Sequence, residues 1–193
     1  MDIPDIGGLP AHPLVVHLPV VLVPLATIGA LIMLIRPSWR RSYELPVAVL
    51  AVVAAVATQL ALMSGEQLEE DVRRSELIEK HSQIAEQARP FVFVFAALMV
   101  AVAVWDIVQR RRVVDDRHQV AGPDEELGQP SSGSIATARR TSSATTARSR
   151  AASVAVVLTA LGLVFGVIST VQIYRTGHSG ATATWHDDDD DGG

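Results

Sequence analysis

The chain has 193 residues, a formal net charge of -5, 49% hydrophobic residues and no cysteine. Without thiols, a disulfide framework, a thiolate metal site and a cysteine nucleophile are all excluded. The mean hydropathy is +0.29, and the apolar residues gather in long unbroken runs, the pattern of a polytopic membrane protein rather than of a soluble core.

The N-terminal segment, 1–13, is acidic and lacks the basic start of a signal peptide, so the first apolar run reads as an uncleaved span. That span covers about Leu14–Ile35 and holds no charged residue, with His17 one turn inside its start and His12 just before it. An ionisable group at a membrane entrance is a candidate functional residue. Pro19 and Pro24 interrupt the span and free the carbonyls of Val15 and Val20. In a bilayer those carbonyls need partners, so this half is expected to pack against protein.

Arg36, Arg40 and Arg41 follow, with Trp39 and Tyr43 as interface anchors, and span two runs from about Pro46 to Met63. Ala51 and Ala55 offer a small-xxx-small packing face, while Thr58, Gln59 and Ser64 make its far end polar. Residues 66–89 mix charges with apolar residues at mostly helical spacing, which predicts an additional amphipathic helix on the outer face, ended by Pro90. His81 shares its apolar face with Leu77, Ile78, Ile84 and Ala85. Span three covers about Phe91–Val108, with Asp106 near its end, to be satisfied by snorkelling or by Arg110. Residues 109–151, rich in Ser, Thr, Ala and Arg, have too few large apolar residues to fold and read as a disordered loop. Span four lies in 152–176, with Gly162 and Gly166 forming a GxxxG motif. Ser169, Thr170 and Gln172 make its far end polar, and 177–193 form an acidic tail. The fold class is therefore all-α: an integral membrane four-helix bundle whose spans one to three, with the amphipathic helix, occupy 14–108.

Charge orients the bundle. The loop between spans one and two and both flanks of the long loop are rich in arginine, which places them in the cytoplasm. Both termini and the amphipathic helix then lie outside, in a bacterial inner membrane. Five of the six histidines, His12, His17, His81, His178 and His186, fall on the outer side, and only His118 on the inner. Thr58, Gln59, Ser64, Ser169, Thr170 and Gln172 lean the same way, which predicts a polar chamber in the outer half of the bundle.

HPLVVHLP at the head of span one, SGE at 64–66 and TGHSGA at 176–181 resemble the bacterial membrane proteins grouped as domain of unknown function 2231. The resemblance extends over about residues 8–185 and implies four spans with histidines near one membrane face. The family name carries no activity; members fused to redox domains point toward electron transfer.

Two chemistries suit the histidines. Haem b takes two neutral imidazoles as axial ligands, for which His17 with His81 or His178 is the best pair. Copper or zinc takes three imidazoles with water or carboxylate, from His12, His17, His81, His178 and His186, the last beside five aspartates. The function expected is a redox-linked accessory protein of a respiratory or other membrane complex. The alternative is a cofactor-free structural subunit that packs through Ala51, Ala55, Gly162 and Gly166. Taken singly, each histidine also fits a structural part: His17 bonding a proline-freed carbonyl, or His81 at the interface. No Ser-His-Asp, phosphate-loop or dinucleotide motif points to an enzyme. The arginine-rich loop lacks the interleaved aromatics of a nucleic-acid binder and suits anionic lipid instead.

Overall fold

A computed structural model describes residues 11–71, 76–120 and 134–186, with side chains for 16–66, 81–115 and 149–178. Four helices account for them: α1 Ala11–Ile35, α2 Arg40–Asp71, α3 Glu76–Val120 and α4 Ser134–His186. All four contain stretches long and apolar enough to cross a membrane: Val16–Ile35, Arg40–Glu66, His81–Asp115 and Ser149–His178. The expected four-span, all-helical architecture is present.

Each helix packs against the next in sequence, and α1 also packs against α4, so the four close into a ring. The core follows from the helical period. On α1 the fully or nearly buried residues are Val23, Ala26, Ala30 and Met33, three or four apart. They meet Val47, Ala51 and Ala54 of α2 and Val92, Phe95 and Met99 of α3. Between these contacts, Leu18, Ile28, Val49, Val53, Val157 and Val164 remain exposed. In a bilayer these outward apolar side chains contact lipid.

Small residues set how close the helices come. A Cβ on Gly29 would lie 2.5 Å from Val47 Cγ2, and one on Gly166 would lie 2.7 Å from Thr27 Oγ1 and 3.1 Å from a Phe95 ring carbon. A Cβ on Gly162 would strike the Met99 methyl. Ala51 and Ala55 are buried as well. All four predicted packing residues are thus used inside the chain, between its own helices. A partner protein would have to use another surface, contrary to the expectation that these four face outward.

Among the described residues there is no separate amphipathic helix. The 66–89 segment is instead the end of α2, which runs to Asp71, and the beginning of α3, which starts at Glu76. Pro90 does not end a helix but lies inside α3. Its missing N–H frees the Glu86 carbonyl, and both residues are exposed, where solvent or headgroups can satisfy that oxygen. Pro19 and Pro24 likewise lie within a continuous α1; Pro19 is buried, Pro24 is half-buried, and Val20, whose carbonyl Pro24 frees, is exposed.

Helices α3 and α4 have 45 and 53 residues, on the order of 70 and 80 Å at 1.5 Å per residue, so both outrun a hydrocarbon layer of about 30 Å. The segment expected to be a disordered loop is partly helical: α3 continues to Val120 and α4 begins at Ser134. Ala136, Ala138, Ala144 and Ala147 carry high helix propensity, so this segment can extend the helix that follows without large apolar residues. Residues 121–133, the N-terminal 1–10 and the aspartates at 187–191 lie outside the described residues.

Candidate functional site

The bundle has two chemically different ends. One holds the start of α1, the end of α2, the start of α3 and the end of α4. The other holds the short connection between α1 and α2 and the neighbouring parts of α3 and α4.

His17, His81 and His178 all belong to the first end, on α1, α3 and α4. His17 and His178 are exposed and His81 is half-buried. The His178 ring stacks on Tyr174 one turn earlier, with centroids 6.4 Å apart and planes 6° from parallel. Among the described residues, no three His, Asp or Glu side chains come together as a group able to hold a metal. His12 and His186 lie within α1 and α4, but their side chains are outside the described set.

The hydroxyls expected to line a chamber mostly turn back on their own helices. Thr58 donates to the Ala54 carbonyl at 2.8 Å, Ser64 to Ala61 at 2.9 Å and Ser169 to Phe165 at 2.7 Å. Thr170 donates to Gly166 at 2.8 Å, and its oxygen also lies 3.5 Å from that of Thr27 across the α1–α4 contact. Gln172 accepts from Arg175 at 3.3 Å. A hydroxyl that bonds the carbonyl one turn back needs nothing from a neighbouring helix. Buried polar groups at this end are therefore compatible with a dry, packed interior.

The other end holds the strongest electrostatic feature. Arg40 grips Asp106 with both arms of its guanidinium, Nε to Oδ2 at 2.7 Å and Nη2 to Oδ1 at 3.0 Å. Asp106 is therefore satisfied from α2 rather than by Arg110. Arg110 instead bonds Glu44 Oε1. Arg40 and Glu44 are one turn apart on α2, and Asp106 and Arg110 one turn apart on α3, so two adjacent turns interlock through two crossed pairs. Both acids are buried, Glu44 at 3% and Asp106 at 7% exposure, and the arginines reach them from nearer the surface. Arg36 lies over the Trp39 ring, which stacks on Tyr43. Close by, Trp105 Nε1 donates to the Ala151 carbonyl at 3.1 Å and ties α3 to α4.

Sequence reasoning placed Asp106 at this boundary but passed over Glu44. The available signal was a mirrored spacing: Arg-x-x-x-Glu where an apolar run begins, and Asp-x-x-x-Arg where the next one ends. In antiparallel neighbours such motifs meet.

Residues 8–123 match the family described as predicted membrane protein (DUF2231). The match covers α1 to α3 and includes the charged quartet, His12, His17 and His81; it stops short of α4, so TGHSGA lies outside it. No curated protein matches the chain, and no solved structure matches it. Because the match spans more than half of the sequence, the chain belongs to this family of predicted membrane proteins.

Proposed function

We propose that the protein is a cofactor-free accessory subunit of the bacterial plasma membrane, a lipid-embedded packing unit that supports a larger complex. The observation that carries this reading is the closeness of the helices. The interior is filled by Ala26, Ala51, Ala54, Phe95 and Met99, and a single carbon added at Gly29, Gly162 or Gly166 already collides. A porphyrin between the helices would have to displace that packing. Optical absorption and elemental analysis of the purified protein test the reading. Absence of a Soret band together with no stoichiometric copper or zinc is the expected outcome. A Soret band abolished by His17→Ala would overturn it.

A second reading is favoured by one specific arrangement. Three helices carry His17, His81 and His178 to the same end of the bundle, beyond the tight core. Haem b held by two of these imidazoles, or copper or zinc held by them with His12 or His186, would make the protein a redox-linked accessory. Such a group would sit at the mouth of the bundle, not within it. Stoichiometric copper or zinc lost in His81→Ala would select this reading.

Sidedness belongs to the same proposal. The arginines around the α1–α2 connection and the end of α3 favour the cytosol, leaving both termini outside. A cysteine introduced as Ser179→Cys should then react with an impermeant thiol reagent in intact cells. Labelling only after lysis reverses the assignment.

A further inference from the structure

The quartet of Arg40, Glu44, Asp106 and Arg110 is not fully satisfied. Both oxygens of Asp106 accept from Arg40. Glu44 accepts from Arg110 at Oε1 only, and its Oε2 is buried with no hydrogen-bond partner among the described residues. A buried carboxylate oxygen without a donor is costly, more so than a neutral oxygen in the same place. The charges around it define what can relieve that cost. From α3 it faces Arg110, bonded to its other oxygen, and Asp106, one turn before Arg110 and bonded to Arg40 one turn before Glu44. On its own helix Arg40, one turn back, is already committed to Asp106, and its neighbour Arg41 is exposed. Helix α1 has no charged residue from Leu18 to Ile35, and Arg36 comes only in the turn beyond it. Helix α4 packs on α3 and begins its described side chains nearby with Ser149 and an exposed Arg150. Metal cations are disfavoured by the two guanidiniums already bonded to these carboxylates. A proton is small enough, and it converts the orphan acceptor into a donor.

We propose that Glu44 is a proton-binding site: its Oε2 takes one proton from water at the basic end of the bundle and donates it in a hydrogen bond to the Asp106 carboxylate. The balance is simple. One O–H bond forms on Glu44, hydroxide or buffer base is left in the water, and the quartet changes from net neutral to one positive charge. Asp106 can accept the new bond because each carboxylate oxygen has a second lone pair beside the one Arg40 uses. The route to water runs along Arg110, whose side chain is 41% exposed, while that of Arg40 is 17% exposed. Proton uptake at Glu44 leaves the Arg40–Asp106 pair in place and loosens the hold of Arg110, so the end of α3 that continues beyond the membrane is the element that senses it.

Infrared spectroscopy of the full chain in lipid vesicles tests this directly, at a pH where exposed carboxyls are ionised. A protonated-carboxyl C=O band that shifts in D2O is expected, and Glu44→Gln should abolish it while the helical circular dichroism is retained. Should that variant fail to fold, labelling the wild-type chain with carboxyl-13C glutamate should move the band. Asp106 stays unlabelled, and Glu44 is the buried glutamate among the described residues. Absence of the band, a band unchanged in a folded Glu44→Gln variant, or a band that the glutamate label does not move would each overturn the assignment. Any of these results leaves the accessory-subunit reading untouched, because that reading rests on the packed interior.

Discussion

The two ends of the bundle handle buried polarity in opposite ways. At the histidine-bearing end, Thr58, Ser64 and Ser169 donate to carbonyls of their own helices. At the basic end, Glu44 and Asp106 have no such option, because a carboxylate only accepts and cannot donate to a carbonyl of its own helix. Their donors must come from another helix, and they come from Arg110 and Arg40 in crossed pairs. The difference teaches that a polar residue in a span constrains the fold only when its own helix cannot satisfy it. One end is therefore specified by charge, and the other by close packing, with the hydroxyls of Thr58, Ser64 and Ser169 bonded within their own helices.

The largest effect should come from the packing itself. Gly166→Leu drives a branched side chain into Thr27 and Phe95, on the α1–α4 and α3–α4 contacts at once. Overpacking of this kind should cost about 3 kcal/mol or more, read as loss of the folded band in detergent-denaturant titration. A variant as stable as wild type would mean that α4 does not pack this closely. Next comes Asp106→Ala, which leaves the Arg40 guanidinium partly buried without its partner. Breaking a buried pair from one side costs about 3 kcal/mol, tempered here by the ability of Arg40 to turn toward the headgroups. The double variant Arg40→Ala with Asp106→Ala should recover part of that loss. If single and double variants are equally destabilised, the crossed pair is not what joins α2 to α3.

Much of this was legible in the sequence. The four spans, their polar ends and close packing at Ala51, Ala55, Gly162 and Gly166 follow from apolar length and small-residue spacing; that this packing is with the chain's own helices does not. What was not legible was continuity. Charges from Glu66 to Arg89 look like a separate surface helix because periodicity alone cannot tell a new helix from the projecting ends of two long ones. Pro90 looked like a stop, yet it lies where the freed Glu86 carbonyl is exposed. Glu44 was missed because a lone acid beside three arginines reads as ordinary interfacial charge. Its burial depends on α3 arriving alongside, which no local pattern on α2 reveals. The self-bonding of the Thr58, Ser64 and Ser169 hydroxyls was hidden for a related reason: residue type tells that a hydroxyl needs an acceptor, not that its own helix will provide one.

Smaller still is the inter-helix hydroxyl pair. Thr27 and Thr170 approach to 3.5 Å, but each already donates to its own helix, Thr27 to Val23 at 2.8 Å and Thr170 to Gly166 at 2.8 Å. A double-mutant cycle with Thr27→Val and Thr170→Val should give a coupling of about 0.6 kcal/mol or less, the average for such bonds between membrane helices. A coupling above about 1.5 kcal/mol would mean that the histidine-bearing end also holds a structural cross-link and would erase the contrast drawn here.

The smallest effect on stability is expected at His17, and it separates the two functional readings most sharply. His17 is exposed on the first turns of α1, so replacing it with alanine removes little packed surface. The cost should stay within about 0.5 kcal/mol, as for most surface positions. That is the expectation for the protein as isolated if the bundle binds nothing at this end. A ligand bound to the folded state adds stability as its concentration exceeds its dissociation constant, and loss of an axial imidazole removes that gain. The useful measurement is therefore the stability difference between wild type and His17→Ala, first without and then with added haem or copper. A gap that opens only with the added cofactor identifies His17 as a ligand and makes the histidine end the functional one. Equal gaps under all conditions leave the charge-locked end, with Glu44 at its centre, as the place where this bundle departs from passive packing.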